Sequence, residues 1–369
     1  MRESAPVAFE PAEGLWSVFR YDDVERVLSE HASFSSRFGF GENDQSHPLA
    51  ASLIATDPPR HRQLRSLVSQ AFTPRAIARL APRIEALTRE LLDRVAGADR
   101  IDVVDDLAYP LPVIVIAELL GIPASDQEAF KRWSDFVVTG QSEIAAGRRD
   151  QAMLTPIQEM SAYFLARLAE RRAAPGEDLI SGLLAAQDET GRLNDLDVLA
   201  FCILLLVAGN ETTTNLIANA VLCFEEFPEV VAQLRADPEL LPSAIEEVLR
   251  YRSPVQMMFR TVARDTLVGD QTMRVGQRVI AWIGSANRDP SQFPNPDVFD
   301  ARRTPNRHLA FGDGIHFCLG APLARLEARI VLRQLLARFP NLRVAPGARL
   351  ESLGGHVVYG VKHLPVTLG

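Results

Sequence analysis

Cysteine is nearly absent from this chain: Cys202, Cys223 and Cys318 are all that its 369 residues contain. An odd, widely spaced trio excludes a disulfide framework and a CxxC-type zinc site, and it leaves room for one thiol that acts alone. Long apolar runs are missing too. The longest, Val198 to Gly209, falls short of the roughly 20 residues a bilayer requires, so no membrane span is expected. Nor is there an excess of positive charge: 39 basic side chains against 47 acidic ones give a formal net charge of −8, which argues against a nucleic-acid partner. Met1-Arg2-Glu3-Ser4 opens onto mixed residues rather than an apolar signal core, and the expected address is a reducing, bacterial-type cytoplasm. Repeats, low-complexity tracts and Pro/Gly/Ser linkers are also lacking, so residues 1–369 are expected to form one structural unit.

What the chain does have is helical periodicity. Ile77, Leu80, Ile84, Leu87, Leu91 and Val95 recur at steps of three and four, which predicts an amphipathic helix. Similar patterns predict helices over 22–30, 113–120, 127–138, 156–173 and 178–186, and a long one from about Asp195 to Phe227, closed by Pro228. Strand patterns are short and scattered: Leu15–Tyr21, Thr266–Val268, Met273–Val275, Val279–Ile283, and a C-terminal pair around His356–Val358 and Leu364–Leu368. The fold class is therefore mainly α, with a small β-rich portion split over about 10–40, 254–310 and 340–369.

Four segments break local rules. The long helix is interrupted by Ala208-Gly209-Asn210-Glu211-Thr212-Thr213-Thr214, poor helix formers between apolar flanks. A carboxylate and hydroxyls there are costly unless they have partners or a task. Either the threonines bond back to their own helix and bend it, or a cavity lies beside it in which Glu211 and Thr212 handle protons. Cys318 lies in Phe311-Gly312-Asp313-Gly314-Ile315-His316-Phe317-Cys318-Leu319-Gly320, just before a strong helix that carries Pro322 in its first turn. Exposed N–H groups at such a helix start favour a thiolate, whereas Cys202 and Cys223 are expected to be packing residues. Glu247 and Arg250 stand one turn apart on one helix face, and Asp57-Pro58-Pro59-Arg60-His61 opens a helix with His61 and Arg65 on one face. Alone, each of these last two signals is weak.

Together, in this order, FGxGxHxC-x-G, AGxET, ExxR and DPPxHxxxR resemble the cytochrome P450 family of haem-thiolate monooxygenases. The stretch from Asn287 through Phe293, Pro296, Phe299 and Arg303 resembles that family's meander, and the likeness runs over roughly residues 15 to 369. The resemblance implies the family's fold, a large helical bundle around haem b (iron protoporphyrin IX), with O2 as cosubstrate. Cys318 then matches the iron ligand, and His61, Arg65, Arg260 and His316 match the residues that pair with the haem propionates. Phe311 matches the aromatic residue beside the ligand, while Gly312, Gly314 and Gly320 let the loop lie against the porphyrin. Glu211 and Thr212 match the acid–alcohol pair that meters protons into oxygen activation, with Ala208 and Gly209 keeping the helix thin. Glu247, Arg250 and Arg303 match a buried structural triad.

The resemblance also implies substrate contacts from Leu204, Leu205, Val255, Met257, Met258, Val357 and Val358, and from the loop over about 38–54. Their apolar character implies a fatty acid, terpenoid, steroid or macrolide-like molecule, with Arg37 as a candidate carboxylate anchor. No flavin, nicotinamide or iron–sulfur motif follows the cysteine loop, so the resemblance implies electrons from a separate ferredoxin and ferredoxin reductase. A peroxide-driven hydroxylase and a non-catalytic haem-thiolate sensor are the competing expectations.

Overall fold

A computed structural model describes residues 1–37, 52–126, 128–130, 132–133, 136, 154–190 and 194–368. Its helices are α1 (Tyr21–Ser29), α2 (Arg60–Ala71), α3 (Pro74–Ala78), α4 (Ala81–Arg94), α5 (Pro110–Leu119), α6 (Leu154–Ala173), α7 (Leu179–Thr190), α8 (Asp195–Glu226), α9 (Pro228–Ala236), α10 (Leu241–Tyr251), α11 (Ile283–Ala286) and α12 (Ala321–Arg338). Its strands are β1 (Val7–Glu10), β2 (Leu15–Val18), β3 (Phe34–Ser35), β4 (Arg100–Asp102), β5 (Met258–Val262), β6 (Thr266–Val268), β7 (Gln271–Met273), β8 (Arg278–Ala281), β9 (Arg343–Val344) and β10 (Pro365–Thr367). Two compact units result: Met1–Phe38, Leu80–Ala108 and Thr212–Gly369 form the first, Gly39–Arg79 and Tyr109–Glu211 the second.

Among the described residues, the first unit holds every strand. A five-stranded sheet runs in the order β1-β2-β8-β5-β3, antiparallel except for the parallel β2–β8 pair. Its apolar side chains Trp16, Val18, Phe34, Val262, Val279 and Ala281 join Val24, Val27 and Leu28 of α1 in one core. Alternation along the strands delivers one face to that core, as the period of two requires. A second sheet, β4-β10-β9, is antiparallel, and β6–β7 is a hairpin turning at Gly269 (φ 56°). In the same unit α12 packs against both α4 and α10.

In the second unit, Arg60 of α2 forms an ion pair with the nearly buried Asp197 of α8. The rings of Phe72 and Phe201 meet edge-on with centroids 6.3 Å apart. Helix α8 is long and apolar enough to cross a membrane by length and composition alone. Val198–Ile203 and Leu216–Phe224 are nevertheless buried inside the protein, the signature of a core helix.

Several sequence expectations change. The periodic run from Ile77 to Val95 is broken into α3 and α4. Thr73 caps α3 by accepting the Ala76 N–H at 3.2 Å, and Pro82 occupies the first turn of α4, where a missing N–H is tolerated, rather than the interior of one continuous helix. The C-terminal strand pair does not form as a hairpin: β10 pairs with β4 and β9, while Val358 makes only an isolated bridge to Val255. The pattern at 273–275 is displaced to β7 because the chain turns back at Gly276 (φ 83°), leaving Val275 exposed. Strand β4 has three residues and a partner some 260 residues away, too little local pattern to read. The helix expected over 127–138 falls partly outside the described residues, as do residues 38–51 of the expected substrate loop.

Candidate active site

The cysteine loop is shaped by glycine. Gly312 and Gly314 have φ of 70° and 66°, the left-handed region that side-chain-bearing residues avoid, and a Cβ on Gly314 would come within 2.7 Å of the Ser29 backbone. The turn closes when Cys318 N–H donates to Phe311 O at 2.9 Å. Cys318 itself is half-buried and stands two residues before Gly320, the N-cap of α12, so it precedes the helix rather than opening it. A Cβ on Gly320 would lie 3.9 Å from the Cys318 Sγ, which makes that glycine a neighbour of the thiol. His316 shares a 2.9 Å hydrogen bond between its Nε2 and Ser36 Oγ. On the sheet, Arg260 is only 2 % exposed and donates to Phe259 O at 2.8 Å. In the second unit, His61 is equally buried and Arg65 half-buried, one turn apart on α2.

Behind the loop, Glu247 and Arg250 are buried completely. Arg250 Nη2 and Nε donate to the two Glu247 oxygens at 2.7 and 2.8 Å, and Arg303 Nε adds contacts at 3.1 and 3.2 Å. Asp300 N–H and Asn306 Nδ2 also donate to Glu247, at 2.9 and 3.1 Å. The remaining guanidinium protons go to carbonyls: Arg250 to Asn287, Pro296 and Val298, and Arg303 to Pro294, Asn295 and Val298. Such saturation is what a buried ion pair needs to offset desolvation. The structure thus joins the expected triad and aims it at the meander.

Helix α8 stays continuous through its polar stretch. Thr214 Oγ1 donates to Ala108 O at 3.1 Å, instead of only bending its own helix. Asn210, Thr213 and Asn215 are buried, whereas Leu204, Leu205, Ala208, Glu211 and Thr212 are at least partly open. These five recur at steps of three, four and seven, so they form one partly uncovered stripe, beside which Val207 and Gly209 are also partly open. Glu211 has no hydrogen-bond donor among the described residues, and its desolvated setting pushes the carboxyl up to about 7. Gly209 has a packing reason for lacking a side chain, since a Cβ there would run into Ile116 Cδ1 of α5.

Of the other expected wall residues, Val255 bridges Val358, and Gln256 N–H donates to Val357 O at 2.8 Å, which brings 255–258 and 357–358 side by side. Met258, Val255, Val357 and Val358 are half-buried, while Met257 is buried. Arg37 is exposed.

A family model for cytochrome P450 matches residues 13–351. The chain belongs to the cytochrome P450 family. A putative cytochrome P450, YjiB of Bacillus subtilis, is 44 % identical over 372 residues, covering 100 % of this chain and 92 % of the relative. The erythromycin C-12 hydroxylase of Saccharopolyspora erythraea is 42 % identical, over 100 % of this chain and 93 % of its own. The crystal structure of CYP109E1 from Bacillus megaterium in complex with testosterone superposes with a TM-score of 0.93 at 44 % identity, over 100 % of this chain and 96 % of that one. This P450 is a monooxygenase, an oxidoreductase of a haem-thiolate family that uses O2.

The residues present suit that cofactor. In the first unit, the half-buried cysteine on its glycine-shaped loop has the softness an iron ligand needs, and Arg260 and His316 are of the type that would donate to propionates; in the second unit, His61 and Arg65 are of that type as well. Phe311, in the same loop, has its ring centroid 6.3 Å from that of Phe317. Sequence reasoning missed a carboxylate network reaching this phenylalanine, through Glu246, His308 and Arg325. Its only sequence signals are a second glutamate directly before the ExxR motif and an arginine one turn into the helix after Cys318. It also missed Glu327, a carboxyl 1 % exposed in α12 whose Oε1 has no hydrogen-bond partner.

Proposed function

We propose that this P450 inserts one atom of O2 into an apolar small molecule, by hydroxylation or epoxidation, with electrons from a separate ferredoxin and ferredoxin reductase. The observation that carries the proposal is the partly uncovered stripe of α8, where two leucines and an alanine lead to an acid–alcohol pair. Haem b, when bound, supplies the redox chemistry; Cys318 is its iron ligand in this account, and His61, Arg65, Arg260 and His316 hold its propionates. Glu211, with a carboxyl near 7, exchanges a proton around neutral pH, and the Thr212 hydroxyl passes it on. Ala208 and Gly209 add no bulk beside that pair.

Leu204, Leu205, Val255, Met257, Met258, Val357 and Val358 supply apolar contact for the substrate, with methionines adaptable in shape. The names of the erythromycin hydroxylase and of the testosterone-bound CYP109E1 support the macrolide- and steroid-sized end of the expected range. The whole chain, 1–369, acts as one catalytic domain in the cytoplasm. The test is Thr212→Ala, assayed with a ferredoxin system and an apolar compound that perturbs the haem spectrum. Product formed per reductant consumed should fall, and an unchanged ratio would contradict the proton-relay role.

A further inference from the structure

Adjacent glutamates on α10 serve different loops. Glu247 anchors the meander, as described above, whereas Glu246 reaches the cysteine loop by two routes. Along the first, Arg325 Nε and Nη2 of α12 each donate to a Glu246 oxygen at 2.7 Å, the bidentate fork that fixes a guanidinium plane. That guanidinium carbon stands 4.5 Å from the centroid of the Phe311 ring, within cation–π range. Along the second, His308 Nε2 lies 3.1 Å from Glu246 Oε2, and His308 Nδ1 accepts the N–H of Ala310 at 3.3 Å. Because Nδ1 accepts, the ring proton sits on Nε2 and is donated to Glu246. Ala310 immediately precedes Phe311, so one carboxylate restrains Phe311 through its ring and through its backbone. The Phe311 carbonyl in turn accepts the Cys318 N–H at 2.9 Å. Burial disfavours the charged form of Glu246, but hydrogen bonds from Arg325 and His308 outweigh it and bring the carboxyl down to about 2.

We propose that Glu246, acting through Arg325 and His308, is a positioning residue that sets the geometry of Cys318 as a ligand by clamping Phe311. The inference rests on Cys318 being the thiolate ligand. Nothing in it requires Glu246 or Arg325 to touch substrate or the reacting atoms.

The test uses purified holoenzyme and two readouts other than turnover: the ferrous–CO spectrum, which separates thiolate-ligated from thiol-ligated protein, and the reduction potential of the haem. Arg325→Leu should raise the ratio of the thiol-ligated to the thiolate-ligated form by about three- to tenfold and move the potential, given the usual strength of a partly buried cation–π contact. Arg325→Lys, which keeps a cation over the ring but loses the fork, should recover most of the wild-type behaviour, with Glu246→Gln in between. Arg338→Ala, on the same helix as Arg325, breaks the 2.6 Å pair with Asp93 of α4; it is the control and should shift neither readout. If Arg325→Leu does not fold, Glu246→Gln set against wild type carries the same comparison. Wild-type spectra and potentials in Arg325→Leu, or in Glu246→Gln, would overturn the inference. A wild type without the thiolate band would instead overturn the ligand assignment on which it rests.

Discussion

Glu247 and Glu211 are both carboxylates in largely apolar helices, yet their surroundings are opposite. Glu247 is fully enclosed and meets Arg250, Arg303, Asp300 N–H and Asn306, a set of donors that leaves neither oxygen unsatisfied. Glu211 is half-buried, has no such donor among the described residues, and its carboxyl rises to about 7. A saturated carboxylate is an anchor, because moving a proton or a side chain there would strand a buried guanidinium. A bare one is poised to exchange a proton near neutral pH, which is what oxygen activation demands.

Breaking the anchor should have the largest effect. Glu247→Ala leaves Arg250 buried without its partner and should cost about 3–5 kcal/mol, read as a loss of unfolding free energy in urea and poor haem retention. A stable, haem-replete Glu247→Ala protein would erase the distinction. Next comes the proposed proton donor. Glu211→Gln should lower product per reductant by on the order of 100-fold at neutral pH, the usual worth of a positioned acid. In the wild type the acid form prevails below about 7, so coupling should decline as pH rises through that value, and the glutamine variant should show no such decline.

The account of α8 can be sharpened further by its packing. Gly209→Ala forces a methyl into Ile116 Cδ1 and should destabilise by about 1–3 kcal/mol. Adding Ile116→Val, which deletes the clashing atom, should restore thermal stability toward wild type; a purely additive double mutant would refute the clash.

Glu327 tests whether a bare carboxyl outside α8 is simply a cost. Burial raises its carboxyl from 4.5 to about 8, so between those values the unfolded chain is ionised there and the folded chain is not. Raising the pH through this window therefore favours unfolding, by about 1.4 kcal/mol per pH unit from this group alone. Glu327→Gln should remove that slope in urea titrations at pH 5, 6, 7 and 8, and an unaltered slope would place the proton elsewhere.

How much of this was legible follows from range. The motif residues Glu247, Arg250, Cys318, Glu211 and Thr212 stood out because each violates a local expectation within a few neighbours. The extent of α8 also followed from composition, since its apolar flanks carry the helix through the threonines. What escaped depends on long-range partners. Strand β4 exists because β10 passes beside it, Gly209 is required by Ile116, and the Glu246–Arg325 clamp joins residues 79 apart. Triplets of strand and single ion pairs leave no periodic trace.

The central claim is that Cys318 alone supplies the thiolate on which this P450 depends. The ferrous–CO difference spectrum of the wild type, beside that of Cys318→Ser, tests it most directly. The account predicts the red-shifted thiolate band in the wild type and its complete loss in the serine variant. A wild type lacking that band, or a serine variant that keeps it, would contradict the account.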